Sequence, residues 1–251
     1  RRRPPSVQCP NCGNPDIIYR SIGTKALVEQ IQKLFPDQKI SRFDSDTIAG
    51  ESLNEVYEDL LKGEIDILVG TQLLAKGLDL PRLGLVGIVS AESSLTLPDF
   101  TAEERTFQLL YQIIGRVGRG HAKGQVVIQT YEPNTIVIQT AIKRDYKVFY
   151  EHILAERQAF RFPPFSYLVK LTVRRATLAG AHNASQKLYD ELTKLGLPAE
   201  IIGPTPAFYA RRGKYFYYQL VAKSKDRDTL LQLAKQAPAD WQVDLDPADL
   251  L

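Results

Sequence analysis

Short β-branched apolar runs alternate with helical stretches through residues 15–150. A run at 17–19 leads to a helix over 24–35, with Val28, Ile31, Leu34 and Phe35 on one face and Thr24 as its candidate cap. Pro36 stops it by withholding an amide donor. Residues 39–43 predict the next strand, and 53–61 a helix closed by Gly63. An apolar run at 65–69, with Asp66 inside it, feeds directly into Gly70-Thr71-Gln72. Further strands fall at 85–89 and 125–130. Between them a helix over 102–114 carries Phe107, Leu110, Tyr111 and Ile114 at helical spacing. Strands alternating with helices predict a parallel α/β sheet, which places its chemistry in the loops after strand C-termini.

A long helical pattern over 134–160, interrupted near Asp145, ends at Arg161-Phe162-Pro163-Pro164-Phe165. Two prolines break the helix there and mark a domain boundary. Beyond it come a strand at 167–173, a helix at 178–195, strands at 200–202 and 215–222, a helix at 226–236 and a strand at 241–245. That order, β-α-β-β-α-β, predicts a split βαβ, ferredoxin-like unit.

Composition narrows the class. With 44% hydrophobic and 24% charged residues the chain reads as a globular protein. No apolar run reaches the roughly 18 residues of a membrane span, and Arg1-Arg2-Arg3-Pro4-Pro5 does not open a secretory signal. A net charge of +3 is too small to imply a polyanionic partner, so local clustering has to carry that argument. The 251 residues contain no methionine, which predicts an internal or C-terminal piece of a longer protein. Cys9 and Cys12, the two cysteines, stand close together, as suits metal binding in a reducing cytosol.

The candidate chemistry centres on Gln112-Ile113-Ile114-Gly115-Arg116-Val117-Gly118-Arg119-Gly120, after the end of the predicted helix. Each of its two arginines follows a glycine. Glycine permits a tight turn and close approach to phosphate; arginine stays charged and grips phosphate oxygens bidentately. Taken alone, the string equally describes a solvated basic turn, with Gln112 capping the helix end. Upstream, Val69-Gly70-Thr71-Gln72-Leu73-Leu74-Ala75-Lys76-Gly77-Leu78-Asp79-Leu80-Pro81 leaves a predicted strand. Together the two segments resemble motifs V and VI of superfamily 2 helicases, whose two RecA-like lobes clamp ATP between them. The resemblance implies that Thr71, Gln72 and Lys76 face nucleic acid and that Gly77 and Asp79 approach ATP. It implies that Gln112, Arg116 and Arg119 reach the γ-phosphate, with Arg119 the better candidate arginine finger. Read by itself, Asp79 also suits a turn before Pro81.

Further segments narrow the resemblance. Cys9-Pro10-Asn11-Cys12-Gly13 is half of a zinc knuckle, and Gly23-Thr24-Lys25 opens the first helix. Leu97-Pro98-Asp99-Phe100 and Ala102-Glu103-Glu104-Arg105 precede the third helix, Arg161 to Phe165 opens the last unit, and Asp244-Leu245-Asp246-Pro247 lies near its end. In this order they resemble the bacterial replication-restart helicases of the primosomal protein N′ (PriA) family. That resemblance implies three regions: 1–14 as a remnant of the zinc-binding region, 15–162 as a RecA-like second helicase lobe, and 163–251 as a C-terminal DNA- and partner-binding domain. It also implies a cytoplasmic, nucleoid-associated enzyme of 3′→5′ polarity that uses ATP and Mg²⁺, binds forks and single strands, and meets other primosome proteins. Three departures stand out: Leu78 replaces a common histidine, Ile114 and Val117 replace alanines, and Ser93-Ser94 a leucine-glycine pair.

The sequence has no G-x-x-x-x-G-K-[ST] and no DExH-type acidic motif, so this chain is expected to hydrolyse no ATP by itself. Cys9 and Cys12 supply two of the four ligands that a structural Zn²⁺ takes. Near the other end, Arg211-Arg212-Gly213-Lys214-Tyr215-Phe216-Tyr217-Tyr218-Gln219 joins three cations to four aromatics. Phe216 and Tyr218 read as core, whereas Arg211, Arg212 and Lys214 read as a DNA or acidic-peptide contact. Family resemblance places the C-terminal tail of single-stranded DNA-binding protein here, with Gln219 as its contact. Arg174-Arg175 reads as a strand end. Two other readings of the same residues stay open: a lobe of another superfamily 2 repair or recombination helicase, and a non-catalytic DNA-binding module.

Overall fold

The computed structural model describes residues 23–44, 53–71, 80, 83–117 and 124–251. The predicted run at 17–19 therefore lies outside the described residues. The chain divides into two compact units, Arg1–Ser93 with Leu109–Pro133 and Ser94–Gln108 with Asn134–Leu251.

In the first unit, α1 (Thr24–Leu34), β1 (Ile40–Phe43), α2 (Leu53–Lys62) and β2 (Ile67–Gly70) alternate as the pattern predicts. β1 and β2 pair in parallel, Ile40 opposite Ile67. β3 (Leu85–Ile88) and β4 (Gln125–Ile128) form a second parallel pair. Gly23, not Thr24, caps α1. The Thr24 hydroxyl instead donates to Asp44 Oδ2 at 2.5 Å, fastening the start of α1 to the end of β1. Arg42 Nε lies 3.4 Å from the same buried carboxylate. Gly63, at φ +78°, closes α2 in the left-handed conformation that glycine adopts without a Cβ clash. At the end of β4, the Tyr131 amide donates to the buried Glu92 carboxylate at 2.6 Å.

Helix α3 (Ala102–Arg116) contributes its first half to the second unit. There the helical pattern over 134–160 forms α4 (Ile136–Lys143) and α5 (Tyr146–Ala159), divided at the predicted interruption near Asp145. Arg144 turns left-handed at φ 56° to end α4, and Asp145 caps α5 by accepting from the Val148 amide at 3.1 Å. Phe107 of α3 stacks on Phe149 of α5, with centroids 3.9 Å apart and planes 3° from parallel.

The unit's sheet comprises β5 (Tyr167–Arg175), β6 (Glu200–Arg212), β7 (Tyr215–Ser224) and β8 (Gln242–Leu245) in the order β6-β7-β5-β8. Every neighbouring pair is antiparallel. With α6 (Leu178–Lys194) after β5 and α7 (Arg227–Ala234) after β7, this is the split βαβ order read from the sequence. The surprise is β6, which runs ten residues past the predicted 200–202. It contains Pro204 and Pro206, which β6 accommodates as an edge strand, where a missing amide donor breaks no inner ladder. Its register shifts between Ile202 and Thr205 and again between Pro206 and Arg211. One sheet face packs Leu171, Val173 and Leu220 against Leu188 and Leu192 of α6 and Leu230 and Leu233 of α7.

The final residues cross back over the sheet's other face. The Leu250 amide donates to Asp99 Oδ2 at 2.6 Å, while Asp99 Oδ1 accepts from the Thr101 amide at the start of α3. Arg105 pairs with Asp249 at 3.0 Å and donates to the Ala248 carbonyl. Lys170 Nζ donates to the carbonyls of Asp249 and Leu251 at 3.1 and 3.2 Å. Burial opposes the charge of Asp249, but hydrogen bonding and attraction from Arg105, with Lys170 and the Leu251 amide, outweigh it. The carboxyl is held below its ordinary value of 3.8.

Two outcomes follow from this packing. Leu171→Ala removes a side chain with no exposure, so urea unfolding should show a loss of about 2–5 kcal/mol. Val243→Ala, on the exposed partner position in β8, should cost far less. Asp249 has a lowered folded pKa, so its contribution is present above the unfolded value near 3.8 and disappears as pH falls through the folded one. Stability measured across acid pH should therefore drop less steeply in Asp249→Asn than in the parent chain, with the difference confined to pH below about 4.

Candidate functional site

The parallel pairing of β1 and β2 brings Thr71 to the C-terminal end of β2, where it is exposed. This is the sheet edge at which parallel α/β folds collect ligands. Gln72, Lys76, Gly77 and Asp79 lie outside the described residues, as do Arg119, Cys9 and Cys12. α3 extends two residues beyond the predicted 102–114, so Gly115 and Arg116 belong to the helix instead of following it. Leu110 is buried on its inner face, while Gln112 is exposed. The apolar spacing of Phe107, Leu110, Tyr111 and Ile114 explains this split. It commits one helix face to packing and leaves the polar glutamine on the other.

The second unit carries the clearest surface. β6 and β7 form a hairpin whose turn contains Gly213 at φ +61°. The Arg211 guanidinium sits 5.3 Å over Phe216, and Arg212 lies between Tyr209 at 5.4 Å and Tyr217 at 5.2 Å. Lys214 stands 5.3 Å over Tyr215. Cross-strand register then adds a residue that the sequence reading passed over. Arg174 of β5 is opposite Tyr217, and its guanidinium reaches Tyr215 at 5.2 Å. The neighbouring Arg175 takes the bland role, paired with Asp240 at 2.8 Å. No local signal marked Arg174, because its partners are more than 40 residues away and meet it only through strand pairing.

Strand alternation sorts these side chains. Phe216 and Tyr218 belong to the hydrophobic core side, as their alternation suggested. Tyr215, Tyr217 and Gln219 share the opposite face with Lys170, Thr172 and Arg174. That face has two ends. One end is open: Arg174, Arg212 and Lys214 are exposed, with Tyr215 and Tyr217 half-buried between them, while the exposed Arg211 pairs with Phe216 on the sheet's other face at the same hairpin tip. The other end is covered by the chain itself. Gln219 is 9% exposed and its amide donates to the Leu250 carbonyl at 3.3 Å, and Lys223 donates to the Phe160 carbonyl at 3.1 Å. The structure thus gathers Arg211, Arg212 and Lys214 at the hairpin tip and places Gln219 farther along β7, beneath the final residues.

Chemically, the open end offers positive charge for phosphate and flat rings beside it for unpaired bases. Arginine and lysine held over aromatic faces lose less entropy on binding than free side chains, because their rotamers are already restricted.

Two domain families match the chain: the helicase conserved C-terminal domain over residues 14–121 and the primosomal protein N C-terminal domain over residues 158–248. The chain is 38% identical over 230 residues to the replication restart protein PriA of Bacillus subtilis, covering 91% of this chain and 29% of that protein. It is 35% identical over 260 residues to replication restart protein PriA of Treponema pallidum, covering 100% of this chain and 40% of the relative. The Synechocystis protein of the same name is 38% identical over 218 residues, 86% of this chain and 26% of its own length. The chain spans about a third of the length of these curated relatives. With a RecA-like helicase lobe followed by a primosomal C-terminal domain, it belongs to the PriA family of replication restart proteins.

Proposed function

We propose that the chain is the second helicase lobe and C-terminal domain of an ATP-dependent DNA helicase. That enzyme recognises stalled forks, unwinds 3′→5′ and initiates primosome assembly in the bacterial cytoplasm. The observation that carries this reading is the open basic-aromatic end of the β5-β7-β6 sheet, lying within the span matched by the primosomal domain family. Arg174, Arg211, Arg212 and Lys214 neutralise phosphates there, and Tyr215 and Tyr217 stack on splayed bases.

The first unit supplies the motor side. Thr71, with Gln72 and Lys76, tracks the nucleic-acid backbone from the end of β2, and Gly77 and Asp79 approach the nucleotide. Gln112, Arg116 and Arg119 face the γ-phosphate, where arginine stabilises the charge spread over the transferring oxygens. ATP and Mg²⁺ supply the driving chemistry in the whole enzyme; this chain's part is to present donors to a nucleotide held by a P-loop outside its own sequence. A helix that delivers Gln112 on its exposed face and continues to Arg116 suits that role. Zn²⁺ would take Cys9 and Cys12 as two ligands and needs two more from elsewhere in the protein. An acidic C-terminal tail of single-stranded DNA-binding protein would reach Gln219 by displacing the Leu250 carbonyl from its amide.

Replacing Arg211, Arg212 and Lys214 by alanine should weaken binding to forked and single-stranded DNA. It should also flatten the salt dependence by about 0.7 per lost phosphate contact on single strands. Unchanged affinity and slope would remove the patch from the interface. In the intact enzyme, Arg119→Ala should lower DNA-stimulated ATP hydrolysis by ~10³-fold or more while nucleotide binding persists. The present chain alone should show no ATP turnover with single-stranded DNA, and measurable turnover would sink the split-site reading.

A further inference from the structure

The first turn of α3 and the middle of α5 bring together three donors that neither the motor motifs nor the basic patch uses. His152 Nε2 lies 3.1 Å from Glu103 Oε2 and 3.9 Å from Glu156 Oε2, and all three donor atoms fall within 4.8 Å of one another. We propose that Glu103, His152 and Glu156 form a binding site for a first-row divalent transition-metal ion of the Zn²⁺ class.

Four arguments carry it. Imidazole nitrogen and carboxylate oxygen are both donors that Zn²⁺ takes, and three protein ligands leave a fourth position for water. Metal bonds of about 2.0–2.1 Å place tetrahedral ligands roughly 3.3 Å apart, so the observed separations need only small side-chain movements to close on an ion. The imidazole nitrogen disfavours Mg²⁺ and Ca²⁺, which prefer oxygen alone.

The second argument is helical spacing. His152 and Glu156 are four residues apart on α5 and therefore share a face, and Glu103 comes to that face from a different helix. Third, the helices are locked together without a metal. One turn from the cluster, Phe107 and Phe149 stack, and on its other side Arg157 pairs with Glu104. The ligands are thus held near their positions before any ion arrives, which reduces the ordering cost of binding. Fourth, the side chains are 34%, 36% and 44% exposed, open enough for an ion to enter and retain a water. A bound ion would clip the start of α3 to α5. This inference does not depend on the helicase reading.

The test uses the full chain with Cys9→Ser and Cys12→Ser, so that thiolates do not compete. Calorimetric titration with Zn²⁺, and with Co²⁺ followed by its ligand-field spectrum, should show one saturable site with nitrogen and oxygen ligands, and Zn²⁺ should raise the melting temperature. Loss of an outer partner in metal sites commonly costs about 10- to 100-fold in affinity, so His152→Ala should cost at least that much. Glu156→Gln and Glu103→Gln should each weaken binding, and Glu156→Gln, at the most exposed of the three positions, serves as the folding-safe variant. Absence of saturable binding, or binding unchanged in both His152→Ala and Glu156→Gln, would reduce the cluster to an ion pair and overturn the proposal.

Discussion

The second unit depends on how the largely buried guanidinium of Arg157 is held, with both terminal nitrogens bonded and Nε buried without a partner. It pairs with Glu104 on α3, donates to the Pro163 carbonyl at 3.0 Å, and lies 5.3 Å over the ring of Phe100. Only 17% of the side chain is exposed, so the charge is largely removed from water. A charge in that setting is tolerated while its partners stay in place, and removing one partner is far costlier than never having formed the pair. α5, the start of α3 and the entry to β5 are therefore tied to one cation. Phe100 in turn stacks on Phe162 at 5.0 Å, and Lys223 of β7 stands 4.8 Å over Phe162. A chain of cation, ring, ring and cation thus runs from α5 into the sheet.

This arrangement gives a physical account of the segments that narrowed the family. Leu97-Pro98-Asp99-Phe100, Ala102-Glu103-Glu104-Arg105 and Arg161 to Phe165 are separated by up to 60 residues, yet they meet around Arg157 and beside the final residues. Asp99 alone holds the Thr101 amide with one oxygen and the Leu250 amide with the other. These segments are packing instructions for the second unit.

What was legible in the sequence follows the range of the forces involved. Helices and strands set by periodicity came out within a few residues, and the β-α-β-β-α-β order gave the sheet of the second unit. The interruption near Asp145 was legible in the pattern, and the structure gives its local cause, the Asp145 side chain accepting from the Val148 amide to cap α5. β6 was not, because prolines forbid a central strand but not an edge strand, and edge status is decided by neighbours far along the chain. Arg174 and His152 failed for the same reason. Arg174 read only as a strand end and His152 carried no local signal, because their partners on β7 and α3 lie far along the chain. Helix α3 ran past its predicted end because glycine lowers helix propensity without prohibiting a last turn.

The modest net charge of +3 conceals how the cations are divided. Arg105, Arg157, Arg161 and Arg175 of the second unit each face a carboxylate, those of Asp249, Glu104, Glu200 and Asp240. Lys223 shares Glu200, and Arg227 faces Asp246. Arg174, Arg211, Arg212 and Lys214 face aromatic rings instead, with no carboxylate within 4.0 Å among the described residues. An aromatic face orients a cation without neutralising it, so its charge stays available to a phosphate. The paired carboxylates hold the fold, and the four ring-facing cations gather at the β6-β7 hairpin end of the sheet. Such a surface reaches a polyanion through local field more than through net charge, and its attraction fades with added salt over a Debye length of about 8–10 Å.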